Sequence, residues 1–107
     1  MINAGLDNKK RKAIYARDGY RCALCDSTQY IQIHHVVHRS KGGSNHEHNL
    51  ITLCSTCHGH VHGIVPDYAK ETTPEDMMHY CVEYLADYYA PDWNPWRKDC
   101  EPWRKVP

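Results

Sequence analysis

Two segments decide the expected fold of this chain, IHHVVHRSKGG at residues 33–43 and LCSTCHGHVH at residues 53–62. The stretch 29–37, which contains the first histidine pair, is rich in Ile, Val and Tyr and predicts a strand. Residues 49–53 predict a returning strand after a polar loop that is too long for a tight turn. A short helix over residues 55–63 is expected to follow. The order of elements is therefore strand, loop, strand, helix.

Two identical Cys-x-x-Cys turns lie before and after the strand–loop–strand segment: Cys22 with Cys25, and Cys54 with Cys57. Each turn places two sulfurs near a common point, and two such turns complete a tetrahedron around zinc. Four thiolate ligands leave no open coordination position, so the zinc is expected to be structural. Disulfides or a thioredoxin-like redox pair are the alternatives, and no export signal or βαβ pattern supports them.

Histidines are crowded into the same region, with eight of the nine lying between residues 34 and 62. Core packing does not explain this density. His58 and His62 are four residues apart and share one face of the expected helix. If the strand packs on that helix, His34 can meet them at one divalent ion, and His35 remains for another role.

Composition indicates a single small globular domain. The chain has 107 residues, of which 41% are hydrophobic, and a mean hydropathy of −0.75. No apolar run reaches the roughly 18 residues of a membrane span, and the first residues lack a secretory pattern, so a cytoplasmic location with reduced cysteines is expected. The net charge is zero, but residues 1–41 carry eight Lys/Arg and three Asp, whereas residues 67–89 carry six acids and one Lys. The basic half can attract a phosphate backbone, and a solvated helix face is the alternative.

Flanking helices are predicted on both sides of the central unit. Asp7 is a plausible N-cap for a helix ending near Asp18, and Ser55 for the short central helix. Thr73 and Pro74 begin a third helix, which Pro91 ends. The first helix is expected to face inward through Ala13, Ile14 and Arg17. The third is expected to face inward through Met77, Cys81, Tyr84, Leu85 and Tyr88.

The string HHVVHRSKGG at residues 34–43, followed by Asn49 and by CSTCH at residues 54–58, resembles the HNH nucleases of the ββα-metal superfamily. The paired Cys-x-x-Cys turns are similar to the zinc-stabilised branch, which includes small phage-encoded nucleases. The resemblance implies a small α+β protein with the ββα-metal (His-Me finger) fold, a four-cysteine structural zinc site and flanking helices. One HNH nuclease domain is expected over residues 1–107, with its core at 10–63 and a C-terminal helix and Trp/basic tail at 73–107.

The resemblance also implies roles for individual residues in a metal-dependent DNA endonuclease. His35 and Asn49 are the expected catalytic residues. His35 is the general base, and Asn49 ties down the loop and holds His35 in its productive orientation. His34, His58 and His62 are the expected ligands of one divalent cation, which is Mg²⁺, Mn²⁺, Ni²⁺ or Zn²⁺. Hydrolysis by such a site, by nicking or double-strand cutting, leaves 5′-phosphate and 3′-hydroxyl ends.

DNA is the expected partner, held mostly through its backbone and minor groove with weak sequence specificity. The expected DNA-binding residues are Arg39, Lys41, Lys9, Lys10, Arg11 and Lys12. Trp93, Trp96 and Trp103 alternate with basic residues in the tail, and either stack on unpaired bases or fold back over the core. His38 stands where many relatives have Pro and is expected at the surface, with a phosphate contact as the alternative. His46 and His48 are expected to be solvated.

Two other functions fit the same residues. One is a zinc-stapled nucleic-acid-binding module whose nuclease site has lapsed, and the other is metal storage or sensing through the histidines. The resemblance to small nucleases also leaves the biological role open between DNA packaging, restriction and mobile elements. A packaging or restriction protein is accordingly one expected partner, in the cytoplasm of a bacterium or a phage-infected host cell, and no membrane is expected to be involved.

Overall fold

The computed structural model describes residues 6–89 and Trp93. Its helices and strands are α1 (Asn8–Arg17), β1 (Ile31–His35), β2 (Leu50–Cys54), α2 (Ser55–Val61) and α3 (Pro74–Tyr89). Single turns of 3-10 helix cover Arg39–Lys41, Glu47–Asn49 and Asp67–Ala69. None of the helices among the described residues has the length and apolar character required to cross a membrane.

The centre of the molecule is an antiparallel hairpin followed directly by a helix. Strands β1 and β2 pair from Ile31 opposite Cys54 to His35 opposite Leu50, and α2 begins at the next residue after β2. Strand β1 is shorter than the predicted span 29–37. Tyr30 adopts a left-handed backbone with φ of 55° just before it, and residues 36 and 37 form a bend after it. The predicted small α+β, ββα arrangement is confirmed.

The hairpin separates two apolar clusters. On one side, α1 packs against the sheet through Leu6, Ile14, Ile33 and Leu50. On the other side, the cysteine turns, α2 and α3 form the larger cluster, which includes Ile51, Leu53, Val61 and Leu85. Strand β2 is buried along its whole length because it contributes to both clusters.

Charged side chains make specific contacts at both ends of helix α1. Asp7 accepts a hydrogen bond from the backbone amide of Lys10 at 2.8 Å and is the predicted N-cap. Ile14 is buried and Arg17 turns inward, but Ala13 is exposed, so its predicted inward position is wrong. Arg17 pairs with Asp18 at 2.8 Å with both side chains almost fully buried. Burial alone would lower the pKa of Arg17, but the hydrogen bond and charge of Asp18 outweigh that effect and raise it.

The Arg17–Asp18 pair joins α1 to the rest of the fold. Asp18 accepts hydrogen bonds from the amide of Thr52 at 2.9 Å and from the hydroxyl of Tyr84 at 3.0 Å. Arg17 donates to the carbonyl of Leu50 at 2.6 Å and to the hydroxyl of Tyr89 at 3.1 Å. Burial and the nearby Asp18 carboxylate raise the pKa of Tyr84 to about 12. Because its hydrogen bonds are satisfied, this buried ion pair fixes how α1, β2 and α3 meet.

Helix α3 begins at the predicted place. Thr73 Oγ accepts from the amide of Asp76, and the Asp76 carboxylate accepts from the amide of Thr73, both at 3.0 Å. The buried face consists of Met77, Cys81, Leu85 and Tyr89. Tyr84 and Tyr88, the other predicted inward residues, are half-buried and pack against the larger apolar cluster, and Tyr89, which was not predicted, is fully buried.

The described part of the tail lies on the core. Trp93 packs against the larger apolar cluster, and its indole N–H donates to the carbonyl of His48 at 3.0 Å. This contact agrees with the folded-back alternative for Trp93. The predictions for Trp96 and Trp103 fall outside the described residues, and the single domain over residues 1–107 stays a prediction.

Candidate active site

Four cysteine sulfurs meet where the two Cys-x-x-Cys turns face each other. The Sγ atoms of Cys22, Cys25, Cys54 and Cys57 all lie within 4.8 Å of one another. The Sγ atoms of Cys25 and Cys54 are 3.6 Å apart, close to the edge of about 3.8 Å expected between two sulfurs of a tetrahedral zinc–thiolate site. Cys25 is exposed and the other three are buried. The cluster has the donor chemistry and the spacing that zinc requires.

The same cysteines shape the start of α2. Cys54, and not the predicted Ser55, is the N-cap residue, and its Sγ accepts from the amide of Cys57 at 3.4 Å. The hydrogen bond from the Cys57 thiol, aided by backbone amides, lowers the pKa of Cys22 to about 4 against the opposing effect of burial. A sulfur can cap this helix because the Cys-x-x-Cys turn overlaps the first turn of α2. The thiol of Cys54 therefore lies near backbone amides that have no partner within the helix.

Three histidine rings form a second cluster between β1 and α2. Ring centroids of His34 and His58 are 5.0 Å apart, those of His34 and His62 are 5.4 Å apart, and those of His58 and His62 are 4.8 Å apart. One ring nitrogen of each lies within 4.8 Å of the others. The structure therefore brings together the three residues predicted as ligands of one divalent cation.

The electrostatics of this cluster favour neutral imidazoles. Burial lowers the pKa of His34 to about 3, and the nearby His58, His62, His38 and His35 act in the same direction. Burial also lowers the pKa of His58, with smaller effects of His62 and His38. Neutral imidazole is the form that ligates metal. Among the described residues, Nε2 of His34 is a buried nitrogen with no hydrogen-bond partner, as expected for an atom reserved for a metal ion.

Gln32 orients one of these rings and was missed by the sequence analysis. Its Oε1 accepts a hydrogen bond from Nδ1 of His58 at 2.7 Å. This leaves Nε2 of His58 facing Nε2 of His62, 3.2 Å away. The signal was present in the sequence, because a residue two positions before His34 lies on the same face of the strand.

The predicted base, His35, lies at the end of β1 beside the histidine cluster. Adjacent residues of a strand face opposite sides, so His35 is directed away from the three rings that include its neighbour His34. Its ring is half-buried, and its Nε2 lies 2.8 Å from Oδ1 of Asn45. Asn45 is a second contact that the sequence analysis did not identify, because nothing in the loop sequence distinguishes it from other polar residues.

Asn49 is buried and ties together the loop that connects the two strands. Its amide nitrogen donates to the carbonyls of Val37 at 3.0 Å and Ser44 at 2.9 Å, and its oxygen accepts from the amide of Val37 at 2.7 Å. The loop closes so tightly that a Cβ on Gly43 would lie 1.7 Å from the carbonyl oxygen of Val37. This is the geometry expected of a residue that holds the loop in place.

Two histidines are more enclosed than predicted. His38, predicted at the surface, is half-buried, with its ring centroid 5.1 Å from that of His62 and 5.7 Å from that of His34, so it borders the three-histidine cluster. His48 is fully buried, which corrects its predicted solvation, because the ring of Tyr89 covers it at 4.8 Å. His46 is half-buried and its ring packs on His48 at 4.2 Å.

Two of the predicted DNA-binding residues, Lys10 and Arg39, contact Asn45, whose side chain reaches the predicted base His35. Lys10 donates to the carbonyl of Asn45 at 3.2 Å, and Arg39 lies 3.4 Å from its Oδ1. Lys9, Lys12 and Lys41 are exposed, and Arg11 bonds to the side chain of Asn8. Positive charge from α1 and from the loop therefore converges near His35.

A hairpin, the helix that follows it directly, a four-cysteine cluster and a three-histidine cluster define a small α+β domain of the ββα type. The model of the HNH endonuclease family matches residues 22–63. The chain belongs to this family.

Comparison with individual proteins gives two similarities. A 39-residue segment is 38% identical to the type IV methyl-directed restriction enzyme EcoKMcrA of Escherichia coli (strain K12), covering 36% of this chain and 14% of that enzyme. A 55-residue segment is 33% identical to Anaredoxin of Nostoc sp. (strain PCC 7120 / SAG 25.82 / UTEX 2576), covering 50% of this chain and 72% of that protein. No solved structure matches. The family and the similarity to a restriction enzyme support a nuclease-type function in general.

Proposed function

We propose that this protein is a metal-dependent DNA endonuclease that hydrolyses phosphodiester bonds to give 5′-phosphate and 3′-hydroxyl ends. The observation that carries the proposal is the convergence of ring nitrogens from His34, His58 and His62 within 4.8 Å of one another, beside a histidine that stays outside the cluster. In this arrangement three histidines are available to hold a cation, and His35 is left to transfer a proton.

The three-histidine cluster fits a divalent cation, which would supply positive charge to the scissile phosphate and to the departing 3′ oxygen. His34, His58 and His62 hold this cation, and the orphaned Nε2 of His34 supports that role. Nitrogen donors from three imidazoles accept Mn²⁺, Ni²⁺ or Zn²⁺ more readily than Mg²⁺, which prefers oxygen. All four ions belong in the test.

His35 acts as the general base. It takes a proton from water as the water oxygen attacks phosphorus. The bond from phosphorus to the 3′ oxygen breaks, its electron pair remains on that oxygen, and solvent water supplies the proton that completes the 3′-hydroxyl. Asn49 keeps the connecting loop in the conformation that holds His35. Imidazole is the side chain that most often serves as a general base in enzymes.

DNA is held mainly through its backbone. Arg39 and Lys10 lie closest to His35, and Lys41, Lys9, Arg11 and Lys12 extend the basic surface. Contacts of this kind give affinity and salt dependence with little sequence specificity.

We infer that one structural zinc ion binds the four-cysteine cluster. The sulfur spacing supports this assignment. The proposed location is the cytoplasm of a bacterium or a phage-infected cell. Similarity to a restriction enzyme favours restriction over DNA packaging as the biological role, although the shared segment is 14% of that enzyme.

Cleavage of supercoiled plasmid tests the proposal. Wild-type protein should nick or cut it with at least one of Mg²⁺, Mn²⁺, Ni²⁺ and Zn²⁺. His35→Ala should bind DNA in a gel shift without cutting. His79→Ala is the matched control, because His79 is an exposed residue of α3 that pairs with Glu83, and it should cut like the wild type.

Each other outcome selects a different function. DNA binding without cleavage by the wild type in any of the four metals would support the lapsed binding module. Cleavage by His35→Ala at the wild-type rate would overturn the assignment of the base. Tight binding of several metal ions per chain with no DNA affinity would support metal storage or sensing.

A further inference from the structure

We propose that Asn45 is a positioning residue for the general base, which holds His35 with its proton on Nε2 and leaves Nδ1 free to accept the proton of the attacking water. This inference deepens the proposed function and rests on it. Asn45 acts through His35 and does not touch the reacting atoms.

The hydrogen-bond donors around Asn45 determine which atom of its side-chain amide, the oxygen or the nitrogen, faces His35. Its Oδ1 lies 2.8 Å from Nε2 of His35 and 3.4 Å from the guanidinium of Arg39. A guanidinium has only donors, so the atom that faces it is the amide oxygen and not the amide nitrogen. An oxygen can only accept, and Nε2 of His35 must therefore carry the proton. In a neutral imidazole the other nitrogen, Nδ1, then holds the free electron pair.

The backbone around Asn45 is anchored independently of its side chain. Its carbonyl accepts from Lys10 at 3.2 Å. The preceding residue, Ser44, accepts from Asn49 through its carbonyl at 2.9 Å. Removal of the Asn45 amide group therefore leaves both anchors in place, and a substitution there tests the contact with His35 and not the fold of the loop.

The contact between Asn45 and His35 also explains how Asn49 can influence the proposed base. Within the described part of the chain, the hydrogen bonds of the Asn49 side chain go to Val37 and Ser44 and not to His35. Asn45 follows Ser44 directly and reaches the base. Asn49 thus fixes the loop, and Asn45 transmits that position to the imidazole. Asn49 and Asn45 together therefore hold the base, Asn49 through the loop backbone and Asn45 through its side chain.

Oδ1 of Asn45 also contacts Arg39, one of the proposed DNA-binding residues. Its guanidinium lies against Oδ1 of Asn45, and the residue is exposed to solvent, where DNA can approach it. A phosphate bound by Arg39 or Lys10 would consequently lie close to His35. Asn45 therefore connects the proposed DNA-binding charge to the proposed base.

Steady-state nicking by three variants tests the inference by activity. Asn45→Ala should lower kcat by about 10- to 100-fold, the usual effect of removing a partner that orients an active-site group, with little change in KM. Asn45→Asp keeps an acceptor oxygen and should recover much of the lost kcat. Ser40→Ala is the matched control, because Ser40 is an exposed polar residue of the same loop, and it should behave as the wild type.

Nuclear magnetic resonance tests the inference without relying on cleavage. Two-bond ¹H–¹⁵N spectra of zinc-loaded, ¹⁵N-histidine-labelled protein at about pH 8, where an ordinary imidazole is neutral, report which nitrogen carries the proton. The wild type should show His35 protonated on Nε2. Asn45→Ala should show a mixture of the two tautomers, and Ser40→Ala should match the wild type.

The two readouts distinguish failure of this inference from failure of the proposed function. Cleavage by Asn45→Ala at the wild-type kcat, or a wild-type His35 protonated on Nδ1, would overturn the role of Asn45 even if the protein is a nuclease. A wild type that never cuts DNA but shows the tautomer held on Nε2 by Asn45 would overturn the nuclease proposal and leave the orientation of His35 by Asn45 standing.

Discussion

Oε1 of Gln32 on β1 accepts a hydrogen bond of 2.7 Å from Nδ1 of His58 on α2. The bond crosses from the strand to the helix and places the proton of His58 on the side away from the histidine cluster. The ring nitrogen that faces His62 is therefore left with its electron pair. A ligand that is already turned toward the ion loses less conformational entropy when the ion binds.

Loss of this bond should weaken the metal site. We expect Gln32→Ala to lower the affinity of the three-histidine cluster for Ni²⁺ by about 10- to 100-fold, as for other residues that orient metal ligands. Isothermal titration calorimetry of protein whose cysteine cluster already holds zinc measures this. Gln29→Ala is the control, because Gln29 is exposed and its backbone amide, not its side chain, bonds to Ser27. Equal affinity in the two variants would contradict the orienting role of Gln32.

Removal of one thiol should unfold the domain. Cys57→Ser deletes a proposed zinc ligand that also lies in the larger apolar cluster, and structural zinc in small domains supplies about 10–16 kcal/mol of apparent binding energy. We expect the variant, or the wild type treated with a strong chelator, to lose its cooperative thermal transition in circular dichroism. A cooperative transition near the wild-type temperature would argue against a structural metal.

The helix caps should respond differently to alanine. Thr73→Ala removes the Oγ that accepts from Asp76 and should lower the free energy of unfolding by about 1 kcal/mol. Ser55→Ala should change it by less than about 0.5 kcal/mol, because Cys54 caps α2 and Ser55 is exposed. Urea unfolding of both variants measures the difference. A larger loss for Ser55→Ala would restore Ser55 as the cap.

Loss of the Asn49 side chain should loosen the connecting loop. Asn49→Ala leaves the amide of Val37 and two carbonyls without their partner, which should cost about 1–3 kcal/mol. Hydrogen exchange should become faster at Val37, and cleavage should fall with it. Asn49→Asp keeps the acceptor for Val37 and should protect that amide better than alanine does. Unchanged exchange at Val37 in Asn49→Ala would contradict the loop-tying role.

Acid should destabilise the protein partly through His34. Its pKa is lowered to about 3 in the folded state by burial, against about 6.5 in an unfolded chain. Well above pH 6.5 neither state is protonated and this contribution to stability is complete. As pH falls through about 6.5 toward 3, only the unfolded state gains the proton and the free energy of unfolding drops. The slope is at most about 1.4 kcal/mol per pH unit.

Comparison with a variant isolates this effect. Between pH 7 and 5 we expect zinc-loaded wild type, without metal at the histidine cluster, to lose up to about 2 kcal/mol more than His34→Gln, which has no group to titrate there. Urea unfolding at both pH values provides the measurement. Parallel losses in the two proteins would show that His34 is not the group responsible.

The sequence predicted those features of the site that depend on spacing along one element. The two Cys-x-x-Cys turns and the four-residue separation of His58 and His62 define their own geometry, and the structure brings each set together. Likewise, Asp7 and Thr73 mark helix starts by local chemistry alone.

What the sequence missed depends on contacts between distant elements. His48 was expected in solvent, but Tyr89 covers it from 41 residues away along the chain. The predicted inward face of α3 omitted Tyr89, because periodicity leaves the rotation of a helix uncertain by one position, whereas the hydrogen bond that Arg17 donates to the hydroxyl of Tyr89 defines it. Asn45 is in the same category, since no local pattern shows that a loop asparagine reaches the base.

Cys57 and His58 are consecutive residues of α2, so one short helix carries a member of each of the two candidate metal clusters. A chain made without zinc would have no fixed helix on which to place His58 and His62. For the proposed nuclease, cleavage would then require two ions in sequence, zinc for folding and a second ion for hydrolysis. Depletion of zinc would prevent cleavage by such a nuclease even where the second metal is abundant.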